Sequence, residues 1–152
     1  MDITTQKKEQ RKANLSPLIA NIYMHYMLTL WFYKVFKQKC RGYSSITVYA
    51  DDFVGCFQYK GDADMFNELL KERLEMFGLE LEPSKTRLIE FGKYAEANRK
   101  KRKQGRPETF DFLGFTHYCS KSRKGWFRVK KEDKQKEVQN QSSRFQKLDN
   151  SK

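Results

Sequence analysis

The chain has 152 residues, a formal net charge of +12 and 14% aromatic side chains, with a pI near 9.6. That length suits one domain with a real core, and the aromatic content separates it from disordered basic tails. The charge points to a polyanionic partner, nucleic acid before membrane, and no stretch is apolar for long enough to span a bilayer.

The N-terminus lacks the apolar core of a secretory signal, and no internal repeat is visible. Cys40, Cys56 and Cys119 are odd in number and widely spaced. They match neither a zinc pattern nor a disulfide framework, which favours a reducing, cytoplasmic setting.

In chain order, residues 1–14 are polar and charged, with Gln6, Lys7, Lys8, Glu9, Gln10, Arg11 and Lys12. They read as a frayed helix or a disordered lead. Ser16-Pro17 reads as an N-cap followed by proline at the first helical position. Leu18, Ile19, Ile22, Tyr23, Tyr26, Met27, Leu30 and Trp31 then recur at helical spacing. The expectation is an amphipathic helix to about Lys37, packed near its end by Phe32, Val35 and Phe36. A basic connector containing Gly42 leads onward.

Ile46, Val48 and Ala50 alternate with Thr47 and Tyr49, the period of a half-buried strand. Asp51-Asp52 is turn chemistry, and Phe53, Val54 and Phe57 resume as the return strand. A simple exposed turn is the common reading of such a pair. Two adjacent ionised carboxylates repel, however, and a divalent cation relieves that repulsion with oxygen ligands.

Asp62 is expected to cap a second helix, with Ala63, Phe66, Leu69, Leu70, Leu74 and Phe77 on its apolar face and Gly78 just past its end. Residues 79–82 and 86–91 read as short strands, separated by Pro83. Residues 93–106 form a hydrophilic basic insert, expected to be mobile and suited to a phosphate backbone or to solvent. Gly114, inside a strand-like run from Phe110 to Tyr118, implies close backbone approach or a bulge. His117 reads as structural. Trp126 to Val129 is a last strand, and the tail from Lys130 is polar, with only Val138, Phe145 and Leu148 apolar.

Tyr49-Ala50-Asp51-Asp52 resembles the catalytic box of reverse transcriptases, and the run to Val54 resembles the form used by group II intron-encoded enzymes. Residues 15–23 (Leu-Ser-Pro-Leu-Ile-Ala-Asn-Ile-Tyr) resemble the second half of the segment before that hairpin. Residues 77–86 (Phe-Gly-Leu-Glu-Leu-Glu-Pro-Ser-Lys-Thr) resemble the block after it, and residues 110–118 the primer-grip block. The blocks run in order from about Leu15 to Val129. The family's Pro-Gln-Gly turn has no counterpart, since residues 8–14 read Lys-Glu-Gln-Arg-Lys-Ala-Asn. The lead looks like a replacement for a lost upstream portion.

The resemblance implies an α+β fold, a palm-like antiparallel sheet with helices packed on one face. It divides the chain into a non-matching lead (1–14), a palm fragment (15–129) and a basic tail (130–152), the start of a thumb or maturase region. It implies Asp51 and Asp52 as catalytic metal ligands, Asp51 the more direct, for Mg²⁺ or Mn²⁺. Lys85 would approach the incoming nucleotide's phosphates. The implied partners are RNA (intron RNA or template), a DNA primer and a dNTP. Lys93, Arg99, Lys100, Lys101, Arg102, Lys103, Arg106, Gly114, Lys121, Arg123 and Lys124 are the candidate nucleic-acid contacts.

A two-metal site, with ions about 3.5–4 Å apart, draws carboxylates from more than one strand. The family's first metal-binding aspartate lies upstream of the matching blocks. The expectation is therefore a fragment of an RNA-directed DNA polymerase that is inactive alone. The competing expectation is a non-catalytic, basic, RNA-binding maturase fragment that assists splicing.

Overall fold

The computed structural model describes residues 2–7 and 17–136. Its first unit is a four-stranded antiparallel sheet in the order β2-β3-β1-β4, built in βαββαβ sequence. The strands are β1 (Asp2–Lys7), β2 (Ser44–Tyr49), β3 (Asp52–Phe57) and β4 (Arg87–Glu90). A helical segment beginning as α1 (Pro17–Met24) follows β1, and α2 (Lys60–Met76) joins β3 to β4. Beyond β4 come α3 (Ala95–Lys101) and a three-stranded sheet of β5 (Phe110–Phe112), β6 (Phe115–Lys121) and β7 (Phe127–Asp133).

The alternation in β3 sorts its side chains between two cores. Phe53 and Phe57 pack with the helices, in a cluster containing Phe32, Phe36, Phe66, Leu70 and Leu74. Val54 joins Ile89, Phe91 and Phe110 in a second cluster, against which Cys56 and Phe112 pack. The α+β expectation, an antiparallel sheet with helices on one face, holds. The second cluster ties the other face of β3 to β5.

The lead departs from expectation. Residues 2–7 form neither a frayed helix nor a disordered tail but a central strand, paired with β3 on one side and β4 on the other. Ile3, Thr4 and Thr5 carry β-branched side chains suited to a strand, but one aliphatic residue in six gives little periodicity to read. The pairing on both edges, a tertiary effect, decides it. The expected cap at Ser16 and the apolar tail residues Val138, Phe145 and Leu148 lie outside the described residues.

The helix that begins as α1 buries only part of the expected face: Met27, Phe32 and Phe36 are in the core and Tyr23 and Trp31 pack on it. Met24, Met27, Leu28, Phe32 and Phe36 are buried, while Leu18, Ile19, Ile22, Tyr26 and Val35 are exposed. Met24, Leu28, Phe32 and Phe36 recur every four residues. On an α-helix of 3.6 residues per turn that stripe drifts by about 40° per step. The wider winding at His25–Leu30 and Phe32–Phe36, both π-helical, offsets the drift and keeps the four on one core. A π turn disturbs the carbonyl ladder, and Arg73 Nε donates to the Met27 carbonyl at 3.2 Å.

Three smaller expectations also change. Residues 79–82 form no strand, although Leu79 and Leu81 pack on the core. The insert at 93–106 contains α3, with Ala95 buried. β7 runs on to Asp133, into the stretch expected to be tail.

Asp62 does not cap α2, whose N-cap residue Tyr59 makes no side-chain cap bond. Its buried carboxylate instead accepts the Arg41 amide at 3.1 and 3.2 Å and the Gly42 amide at 3.1 Å. A Cβ on Gly42 would lie 2.6 Å from the Tyr59 ring, so the loop can approach only with glycine there. Asp62→Ala should lower stability by about 2–4 kcal/mol, because it strands two amides that had a charged acceptor. Urea unfolding checks this, and a loss below about 0.5 kcal/mol would mean that water replaces the carboxylate.

Candidate active site

The hairpin forms, with its turn one residue earlier than the expected Asp51-Asp52. β2 and β3 pair from Ser44↔Phe57 to Tyr49↔Asp52, leaving Ala50-Asp51 as a two-residue turn. Ala50 has φ +52, a left-handed conformation that costs a residue with a Cβ roughly 1–2 kcal/mol. Asp51 and Asp52 are both half-buried.

The two carboxylates open into different cavities. Asp51 lines one of 600 Å³ with Tyr49 and, from the facing helix, Asn21, His25 and Thr29. Those three polar residues recur every four positions along a largely apolar helix, a signal that attention to the apolar stripe passes over. Asp52 lines a cavity of 400 Å³ with Lys85, Arg87, Asp111, Leu113, Gly114 and Lys134. Asp51 is the second turn residue and Asp52 the first residue of β3, and the split falls at that boundary.

Lys85 and Gly114, two residues singled out in the sequence, therefore meet Asp52. Lys85 Nζ pairs with Glu82 at 2.8 Å. Arg87, Asp111 and Lys134 are additions the sequence reading did not assign to the site. Asp111 accepts from the Thr116 hydroxyl at 2.6 Å and pairs with Lys134 at 3.0 Å. The Thr116 hydrogen bond, with help from Lys134, outweighs partial burial and holds the Asp111 carboxyl below its ordinary range. The wall has three cationic side chains, each ion-paired: Lys85 with Glu82, Arg87 with Glu108 at 3.8 Å and Lys134 with Asp111.

Gly114 lies not within a strand but in a turn. Leu113 (φ +55) and Gly114 (φ +76) are the two central residues between β5 and β6, the backbone of a type I′ hairpin. Leu113 is half-exposed, so little packing offsets its strain. Leu113→Asn should raise stability by about 0.5–1 kcal/mol, since Asn tolerates the left-handed region. A thermal melt showing a loss would mean that the leucine side chain packs to real advantage.

The donor set does not fit a two-metal centre. Mg²⁺ demands near-octahedral oxygen coordination, and a bridged pair draws carboxylates from more than one strand. Among the described residues no three Asp, Glu, His or Cys side chains converge as a metal site. The strand beside the hairpin tip is β1, and its register sets Lys7 against Asp52. Its one acidic residue, Asp2, pairs with Phe57 at the far end, about 16 Å away at 3.3 Å per residue.

The candidate nucleic-acid contacts divide into three groups. Arg99 pairs with Glu108 at 3.5 Å, and Arg102 pairs with Glu90, so both also serve the fold. Lys93, Lys100, Lys103, Arg106 and Lys121 line a cavity of 760 Å³ between α3 and β6. The single acid lining it is Glu96, which pairs with Lys121 at 2.8 Å. Arg123 and Lys124 lie on the β6–β7 turn, and Lys101 is exposed on α3. His117 stacks on Phe110 with ring centroids 4.8 Å apart, a packing role. Burial raises the Cys40, Cys56 and Cys119 thiols, which keeps them protonated and weakly nucleophilic.

No curated protein and no solved structure matches the chain. The family model for reverse transcriptase (RNA-dependent DNA polymerase) matches residues 13–117, well over half of the chain. That span contains the hairpin, Lys85 and the Leu113-Gly114 turn, and the chain belongs to the reverse transcriptase family.

Proposed function

We propose that the chain is the palm portion of a reverse transcriptase of group II intron type, which holds nucleic acid but does not polymerise on its own. The supporting observation is that Asp52, Lys85 and Gly114, from three separate blocks, line one cavity. Lys85 and Arg87 supply charge for phosphate oxygens there. Asp51 and Asp52 are the family-type carboxylates. Mg²⁺- or Mn²⁺-dependent nucleotidyl transfer, with DNA primer and dNTP, belongs to an assembly that brings a further carboxylate to the hairpin tip. The polyanion is RNA, template or intron, in a reducing cytoplasmic setting, and the basic cavity beside α3 takes its backbone.

Filter binding of the full chain to RNA across a salt series tests this reading. The log–log plot should fall by about 0.7–0.9 per neutralised phosphate. A titration flat between low and moderate salt would overturn it.

A further inference from the structure

Trp126 has no role in the core or in the site described above. It is 74% exposed, at the end of the turn that joins β6 to β7. Large aromatic surfaces are rarely left in water without a use, and Trp is more often highly buried. The backbone beneath it is fixed. The Trp126 amide donates to Ser122 Oγ at 3.1 Å, and the Ser122 amide donates to the Trp126 carbonyl at 2.7 Å. The Gly125 amide closes the turn on the Ser122 carbonyl at 2.9 Å, with Gly125 at φ +80.

The surroundings are cationic. Residues 121–131 carry Lys121, Arg123, Lys124, Arg128, Lys130 and Lys131 and no acidic residue. Gly125 and Phe127, the two chain neighbours of Trp126, line the basic cavity with Lys121. The tryptophan therefore stands beside a groove already suited to a phosphate backbone. A fixed aromatic face next to a positive groove is how proteins hold unpaired nucleotides, the base stacking on the ring while cations track the phosphates.

We propose that Trp126 is a stacking platform for an unpaired base of RNA whose backbone lies in the cavity between α3 and β6. RNA is the single strand chosen, because the family acts on an RNA template. The inference deepens the nucleic-acid reading above and rests on it. A duplex cannot offer a base face here without unstacking, so the platform discriminates strandedness, not sequence.

The test uses the full chain with a 15-nucleotide oligouridylate and an RNA duplex of the same length. Trp31→Phe leaves Trp126 as the sole tryptophan. If that variant folds poorly, the fluorescence difference between the native chain and Trp126→Phe gives the same signal. Trp126 emission should be quenched in step with binding of the single strand. Trp126→Ala should weaken single-strand binding about tenfold, Trp126→Phe should retain most of it, and duplex affinity should change less than twofold.

Unchanged emission with RNA bound on the filter would overturn the platform and leave the nucleic-acid reading standing. Equal loss for single strand and duplex would overturn it too, by reducing Trp126 to a structural support. No binding on the filter would overturn both. A blue shift on anionic phosphatidylserine vesicles without any response to RNA would replace the platform with a membrane contact. Tenfold tighter binding of the matching oligodeoxynucleotide would overturn the choice of RNA.

Discussion

Phe66→Ala should destabilise the fold by about 3–5 kcal/mol, the usual loss for a fully buried phenylalanine. Phe66 is wholly buried and is the hub of the aromatic core. Its ring lies 5.1 Å from those of Phe36 and Phe57, 5.7 Å from Phe32 and 6.2 Å from Phe53. These neighbours come from β3 and from the helix before β2, so Phe66 on α2 joins three elements. Edge and tilted ring contacts add to simple area burial, and rings in edge-to-face register collapse poorly into a void. Native domains hold only about 5–15 kcal/mol in all. The melting temperature should fall by about 10 °C or more. A circular-dichroism melt that moves by less than about 3 °C would show that α2 is not packed as described.

Neutralising the basic cavity should have the largest effect on binding. The variant replaces Lys93, Lys100, Lys103, Arg106 and Lys121 with glutamine. All five line the cavity beside α3 and all are exposed, so the fold should tolerate the change. Each lost phosphate contact on a single strand removes about 0.7 from the salt slope, so five remove about 3.5. At low salt the affinity should fall by roughly 100- to 1,000-fold. Arg99 and Arg102 are left intact because their pairs with Glu108 and Glu90 are partly buried, whereas the Lys121–Glu96 pair is exposed on both sides. An unchanged slope would move the interface away from α3.

The hairpin and α2 were legible because their patterns are local. Strict alternation through β2, and apolar Phe66, Leu70 and Leu74 at helical spacing, need no distant partner to be read. β1 was not legible, because its strand state comes from β3 and β4 on its two edges. The helix before β2 misled for a different reason. Leu18, Ile22 and Tyr26 have the same spacing of four as Met24, Leu28, Phe32 and Phe36, so spacing alone does not tell which stripe meets the core, and the π winding at His25–Leu30 and Phe32–Phe36 is not visible in the pattern. Leu79 and Leu81 look like a strand face, yet no neighbouring strand pairs with them.

At the site, the separation of Asp51 from Asp52 follows from where the turn falls, at Ala50-Asp51. The meeting of Asp52 with Asp111 and Lys134 requires the second sheet to fold against β3, which no local pattern announces. The charges on α3 could be counted in sequence. Which of them face the cavity depends on the ion pairs that hold the helix in place.

Primer extension on an RNA template tests the central claim most directly, with Mg²⁺ and with Mn²⁺ and with Asp51→Ala as control. The hairpin offers carboxylates from one strand, and the register sets Lys7, not an acid, beside Asp52. Among the described residues no second strand brings a carboxylate to the tip, and without one two metals are not bridged and the 3′ oxygen is neither oriented nor activated. The native chain should bind the template and leave the primer unextended, indistinguishable from Asp51→Ala. Robust extension by the native chain, abolished in Asp51→Ala, would contradict the account.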